Sequence, residues 1–299
     1  MIDAAGGLLV VALRFVAVTA TTGALGAWAF YRFVLPRLSD AVMDAERRGW
    51  HVLATRIAMW CSTAVALSAL ARLQVPGSVL PLVSDAADSF VRSIGWKTAL
   101  WAQFSVAVLA ALMLSLGMRR SSWRAIGADA CMAALVLVTP ALAHAGAARD
   151  LRAVAYAVDL AHGAAAGAWV GALAIVTLLV ARLRGTDRGA SNSAALFVAF
   201  HPVAVVAAPL VFLTGLATAW LRMGAPEGIA NPAYSALFVA KLLLAGVVGY
   251  FGAGHSKLAI KRAQSVAPEP VWRTLMAECA FAVVVLLVTA VLVGTPPIG

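Results

Sequence analysis

Charge is scarce in this sequence. Only 12% of its 299 residues are Asp, Glu, Lys or Arg, about half the share usual in a water-soluble domain, which excludes an ordinary soluble fold. Acid is scarcer than base, 13 residues against 23. Cysteine is rarer still. Cys61, Cys131 and Cys279 all fall inside apolar runs and form no CxxC pair, so neither a disulfide framework nor a zinc knuckle is supported. They read as small buried apolar residues, with soft-metal ligation as the other reading. No ATP-binding motif and no nucleophile paired with a base are found, so neither ATP-driven work nor enzyme catalysis is expected. A cleavable leader is missing as well. The first apolar run begins with Asp3, has no basic segment before it and is longer than a leader's apolar stretch, so it is expected to remain as the first helix.

What is abundant is apolar surface: 63% of the residues are hydrophobic and the mean hydropathy is +0.91. Runs of spanning length cover 8–34, 52–72, 97–117, 125–144, 155–181, 200–221, 235–255 and 274–294. The expectation is a single integral membrane domain over 1–299, an all-α polytopic bundle of about eight transmembrane helices in the lipid bilayer. The net charge of +10 invites a nucleic-acid partner. Its carriers sit in short loops between spans, where membrane orientation explains them better. Of the 23 basic residues, fifteen fall on one side, among them Arg47, Arg48, Arg119, Arg120 and Lys261. By the positive-inside rule that side is cytoplasmic, so both termini are expected outside.

The most informative stretch is 151–184. Asp159, His162, Ala166 and Trp169 recur at helical spacing and share one face. Gly163, Gly167, Gly171 and several alanines fill the turns between them, a composition that lets helices approach closely and suits the centre of a bundle. Counting back about 20 residues from the basic inner end reaches His162, which places it with Asp159 at the outer mouth. His144 closes the preceding run at similar depth. A short connection makes these two runs antiparallel neighbours, so His144 and His162 are expected to converge on one outer site. The alternative is a histidine bonded to a backbone carbonyl, with Asp159 the polar start of its helix.

Other polar residues have plainer readings. Arg14 in the first run is expected to snorkel to the interface, and Glu278, near the start of the last run, to be solvated. Lys241 in the seventh run needs a partner, for which Asp159 is a candidate. Pro202 falls in the first turn of its helix and Pro209 deeper, where a kink is expected. Asp85 and Asp88 lie in the longest outer loop and read as solvated acids. A faint repeat aligns Arg14 with His162 and Gly23 with Gly171, and relates Lys97 to Lys241, which makes two parallel units of four helices.

These residues resemble a known family, copper resistance protein D (CopD), of the bacterial inner membrane. Its core here is AHGAAAGAWVGAL, with His162, Trp169, Gly171 and Leu173. LAHAG with His144 precedes it; LTGLATAWLRMG with Thr214 and Gly215, YSALFVAKLLL with Tyr234 and Lys241, and RTLMAECAFAVV with Glu278 follow. The resemblance is firmest over about 126–299. Gln103 departs from it where a basic residue is expected, and so do His201 and His255.

The resemblance implies copper homeostasis: uptake across the inner membrane from a periplasmic carrier of the CopC type. Imidazole and carboxylate suit Cu(II), thiolate and thioether Cu(I). On this reading His144 and His162 capture the ion, with Asp159 orienting an imidazole or ligating directly. The ion then passes Met59 and Cys61 toward Cys131, Met276 and Cys279, with Arg14, Trp169, Gly171, Lys241 and Glu278 in structural or gating roles. Two rivals stand beside it. The five histidines could hold b-type haem in an electron-transfer subunit, or the chain docks a metallochaperone through Asp85 and Asp88 without transporting.

Overall fold

The computed structural model describes residues 4–38, 42–74, 96–116, 122–142, 151–223, 232–262 and 269–293. Every regular element among them is helical: α1 (Ala4–Ala29), α2 (Asp44–Gln74), α3 (Trp96–Ser115), α4 (Ser122–Val138), α5 (Arg152–Ala166), α6 (Ala172–Leu183), α7 (Gly189–Met223), α8 (Pro232–Arg262) and α9 (Glu269–Leu292). A π-helical turn, Gly167–Gly171, joins α5 and α6 into one rod, so nine segments make eight rods. Seven are long and apolar enough to cross a membrane, and the eighth contributes a shorter apolar stretch, Ala125–Val138. The all-α polytopic bundle expected from the apolar runs is therefore the architecture. In hydrocarbon only a segment that bonds its own backbone is viable, which is why hydropathy alone locates these elements.

Helix ends follow local chemistry. The connection from α6 to α7 is tight because Gly185 adopts a left-handed conformation, φ 75°, which glycine takes without a Cβ penalty. Thr186 then donates its hydroxyl to the Leu183 carbonyl at 2.8 Å. The polar residues from Asp44 onward, ahead of the second apolar run, form the first turns of α2. Arg47 on its first turn donates to the Leu38 carbonyl at 2.6 Å and ties the α1 exit back.

Two rods lie at the centre, α1 and α5–α6. The α5–α6 span is 61% buried, against 6% to 39% for the other candidate spans, as its run of small residues suggested. The crossing is backbone on backbone. A Cβ built on Gly26 would stand 2.1 Å from the Gly171 carbonyl carbon, and one on Gly171 would stand 2.2 Å from the Thr22 carbonyl oxygen. Gly167 likewise admits the Leu25 side chain. With no hydrophobic drive between helices in lipid, close packing of this kind is what holds them together.

The two halves pack in the same order. In the first, α1 meets α2, α2 meets α3 and α3 meets α4; in the second, α5–α6 meets α7, α7 meets α8 and α8 meets α9. Where the halves cross, Gly26 faces Gly171, while Gly23 makes room for the Cys61 thiol. Trp28 on α1 donates its indole N–H to Asp129 on α4 at 2.6 Å, and the Tyr156 hydroxyl on α5 donates to the Leu137 carbonyl at the end of α4. α4 and α5 are therefore neighbours, as the short connection predicted.

Arg14 does not snorkel. It is 9% exposed, and its Nη1 is buried with no hydrogen-bond partner among the described residues. The reason is its rotation on α1, which turns the guanidinium toward Arg72 on α2, close enough for the two charges to repel. Arg72 Nη2 donates to Gln103 Oε1 on α3 at 2.6 Å, and Gln103 is itself buried. A neutral acceptor at 103, where a basic residue was expected, is what two neighbouring guanidinium groups require. Gln103→Leu is expected to lower stability by about 2 kcal/mol, the value of a hydrogen bond to a charged group, and Gln103→Lys by more, since it adds a third cation. Thermal unfolding in detergent reads both; a parental Tm in the lysine variant would refute the account.

Candidate functional site

The polar residues of α5 and α7 meet as two rungs. Asp159 and His162 are three apart on α5, and Thr214 and Thr218 are four apart on α7, so each pair occupies one helix face. The helices run antiparallel there. Thr218 donates to Asp159 Oδ1 at 2.9 Å, and His162 Nδ1 lies 3.1 Å from Thr214 Oγ1 and 3.1 Å from the Val211 carbonyl oxygen. A carbonyl can only accept, so Nδ1 carries the proton and donates. The Thr214 hydroxyl donates onward to the Leu210 carbonyl at 2.5 Å, which leaves its oxygen to accept from the same N–H. The imidazole is therefore held as one tautomer, with the lone pair on Nε2. Gly215 makes this possible: a Cβ there would stand 3.2 Å from His162 Cε1.

The carbonyl-bonded histidine weighed as the plainer reading is thus real, and it is also the arrangement that readies an imidazole for a metal. A metal-binding histidine characteristically donates its other N–H to a carbonyl or carboxylate. Asp159 and His162 line a cavity of about 200 Å³ walled by α1, α4, α5, α7, α8 and α9. Lys241 on α8 lines it too, so the lysine and its expected partner Asp159 share one chamber. The apolar span that carries His162 runs from Ala153 to Leu183.

A second cavity of about 450 Å³ lies beside the first, lined by α7, α8 and α9 with Trp169 and Leu173 from the central rod. It contains His201 and Glu278. Glu278 is not solvated: at 1% exposure it is among the most deeply buried side chains, because α9 turns it inward against α8. There Gly252 admits it, since a Cβ at 252 would lie 3.2 Å from Glu278 Oε1 and 3.7 Å from Trp169 Cζ2.

Trp169 and Phe212 line both cavities. Their ring centroids are 6.2 Å apart with planes at 49°, and Trp169 is buried. The two rings form the wall between the chambers. Gly249 on α8 keeps the backbone close to Phe212, where a Cβ would stand 3.2 Å from the ring. Gly171 has no part in the wall: it is the crossing point with α1.

The sulfur residues lie elsewhere. Cys61 packs on Gly23. Cys131 on α4 is half-buried and free. Cys279 lies 3.2 Å from Thr177 Oγ1, whose proton goes to the Leu173 carbonyl at 2.8 Å, so the thiol is the donor. Met59 packs on the core, and Met276 is 43% exposed on the outside of the bundle. None of these five is among the described residues lining either cavity. His144, Asp85 and Asp88 lie outside the described residues. Among the described residues no three of His, Cys, Asp and Glu gather as a metal-ligand group, and each cavity holds one described histidine.

Two participants escaped the reading of the sequence: Thr218 and Phe212. Thr218 had a signal, the four-residue spacing from Thr214 on an otherwise apolar helix. Phe212 had none, because an aromatic in a membrane helix is indistinguishable from packing until its neighbours are known.

No curated protein and no solved structure matches the chain. Residues 194–292 match the family model of copper resistance protein D, a stretch covering most of α7, all of α8 and all of α9. That stretch supplies His201, Lys241 and Glu278 to the two chambers, and Thr214 and Thr218 to His162 and Asp159. The resemblance read from the sequence is thereby supported over residues 194–292, the last third of the chain, which match that family model.

Proposed function

We propose that this chain carries copper across the bacterial inner membrane, inward from a periplasmic carrier of the CopC type, and that the chamber holding Asp159 and His162 is its capture site. The observation that carries the reading is the pinned tautomer of His162. Its Nδ1 proton is committed to the Val211 carbonyl and Thr214, so in the neutral imidazole the lone pair lies on Nε2. Asp159 is oriented by Thr218 and offers a carboxylate in the same chamber. The ion is cargo here, and His162, Asp159 and His144 are its donors; imidazole with carboxylate suits Cu(II). Polar groups in membrane spans are costly and tend to be functional, and here they collect in one chamber beside Lys241.

The test is intracellular copper in cells that express the chain together with a CopC-type carrier, at matched membrane levels. The parent is expected to raise accumulation several-fold over vector, and His162→Ala and His144→Ala to return it to the vector level. Unchanged copper with the parent would refute import. A rise that persists in His162→Ala would refute the capture site.

A further inference from the structure

We infer that the inner chamber is a second copper site, a transit site built from the His201 imidazole and the Glu278 carboxylate and separated from the capture site by Trp169 and Phe212. The inference rests on the copper reading above and adds where the ion goes next.

Glu278 is the first reason. A carboxylate 1% exposed within a membrane bundle is expensive to keep, and Gly252 is what allows it against Trp169. The backbone has been cleared for an acid at this spot. His201 is the second, a half-buried imidazole across the same cavity on α7. The third is Pro209, inside α7. Proline has no N–H, so the carbonyl of the residue four before it loses its helical donor. That residue is Val205, one turn beyond His201 and itself part of the cavity wall.

The cavity lining therefore holds an imidazole, a carboxylate and, at Val205, a residue whose carbonyl has lost its helical donor, with space of about 450 Å³ for water to complete a coordination shell. All are nitrogen or oxygen donors, matched to Cu(II) and to the donors of the capture chamber. An ion moving between the chambers keeps one kind of ligand and one oxidation state, with no electron transfer. The sulfur residues once expected to mark its path are not needed for this route. Few protein ligands also suit transit, since a site on a conduction route must bind weakly enough to release.

The experiment is Cu(II) binding to the purified, metal-stripped chain in detergent, followed by equilibrium dialysis and electron paramagnetic resonance. The parent is expected to bind two equivalents. Glu278→Gln and His201→Ala each lose one, and His162→Ala loses the other. Nitrogen hyperfine structure from the inner site disappears in His201→Ala. Because Glu278 is buried, its variant is read only if it elutes as the parent does; His201→Ala, on the cavity wall, carries the test independently. If copper binds but neither His201→Ala nor Glu278→Gln changes the stoichiometry, the inner site is overturned and the capture site stands. If the parent binds no Cu(II), both readings fall.

Discussion

Alanine at Gly26 or Gly171 is expected to destabilise the chain more than any other conservative change, by about 3 kcal/mol or more, the upper range for overpacking a core. An added Cβ would meet backbone atoms at 2.1 Å and 2.2 Å. No side-chain rotation relieves a collision with a carbonyl, so α1 and the π-helical turn would have to separate. They share the centre of the bundle, and their separation would loosen α2, α7 and α9, which pack on the same rods. The measurement is membrane abundance together with thermal unfolding in detergent. Gly246→Ala is the control: its Cβ would meet nothing within 4 Å, and replacing glycine within a helix is expected to gain about 0.5–1 kcal/mol. A parental Tm for Gly26→Ala would contradict the close crossing.

Removing the wall is the second large effect. Trp169→Ala deletes a buried indole that touches both chambers and is expected to cost about 3–5 kcal/mol, the usual penalty for truncating a buried tryptophan. It also merges the two cavities. At matched membrane levels, copper uptake is expected to speed up in the alanine variant because the steric barrier beside Phe212 is gone. Trp169→Phe keeps an aromatic ring in place and is expected to stay near the parental rate. If the alanine variant folds and takes up copper no faster than the phenylalanine variant, the two rings do not separate the chambers.

Much of this arrangement was legible in the residues. Asp159, His162 and Trp169 were placed on one face by spacing alone, and all three line one chamber. The small residues around them marked α5–α6 as the central rod, and the demand of Lys241 for an acid pointed to Asp159, with which it shares that chamber. Arg14 and Glu278 were misplaced for a common reason. A charged residue one or two turns inside a span reads as a surface residue, because such positions usually reach water by extending outward. Whether one does so depends on the rotation of its helix, and rotation leaves no trace in a hydropathy pattern.

By itself, the sequence determined the number of helices, their approximate limits and the polar faces they carry. Each membrane helix satisfies its backbone within its own segment, so these properties are local. Only the tertiary structure decided that Gly26 meets Gly171, that Gly252 clears a place for Glu278, and that Trp169 and Phe212 divide one chamber from another. Those outcomes depend on crossing points and rotations set by contacts between distant segments, where dispersion forces act over a few ångströms and a single Cβ is enough to forbid an approach.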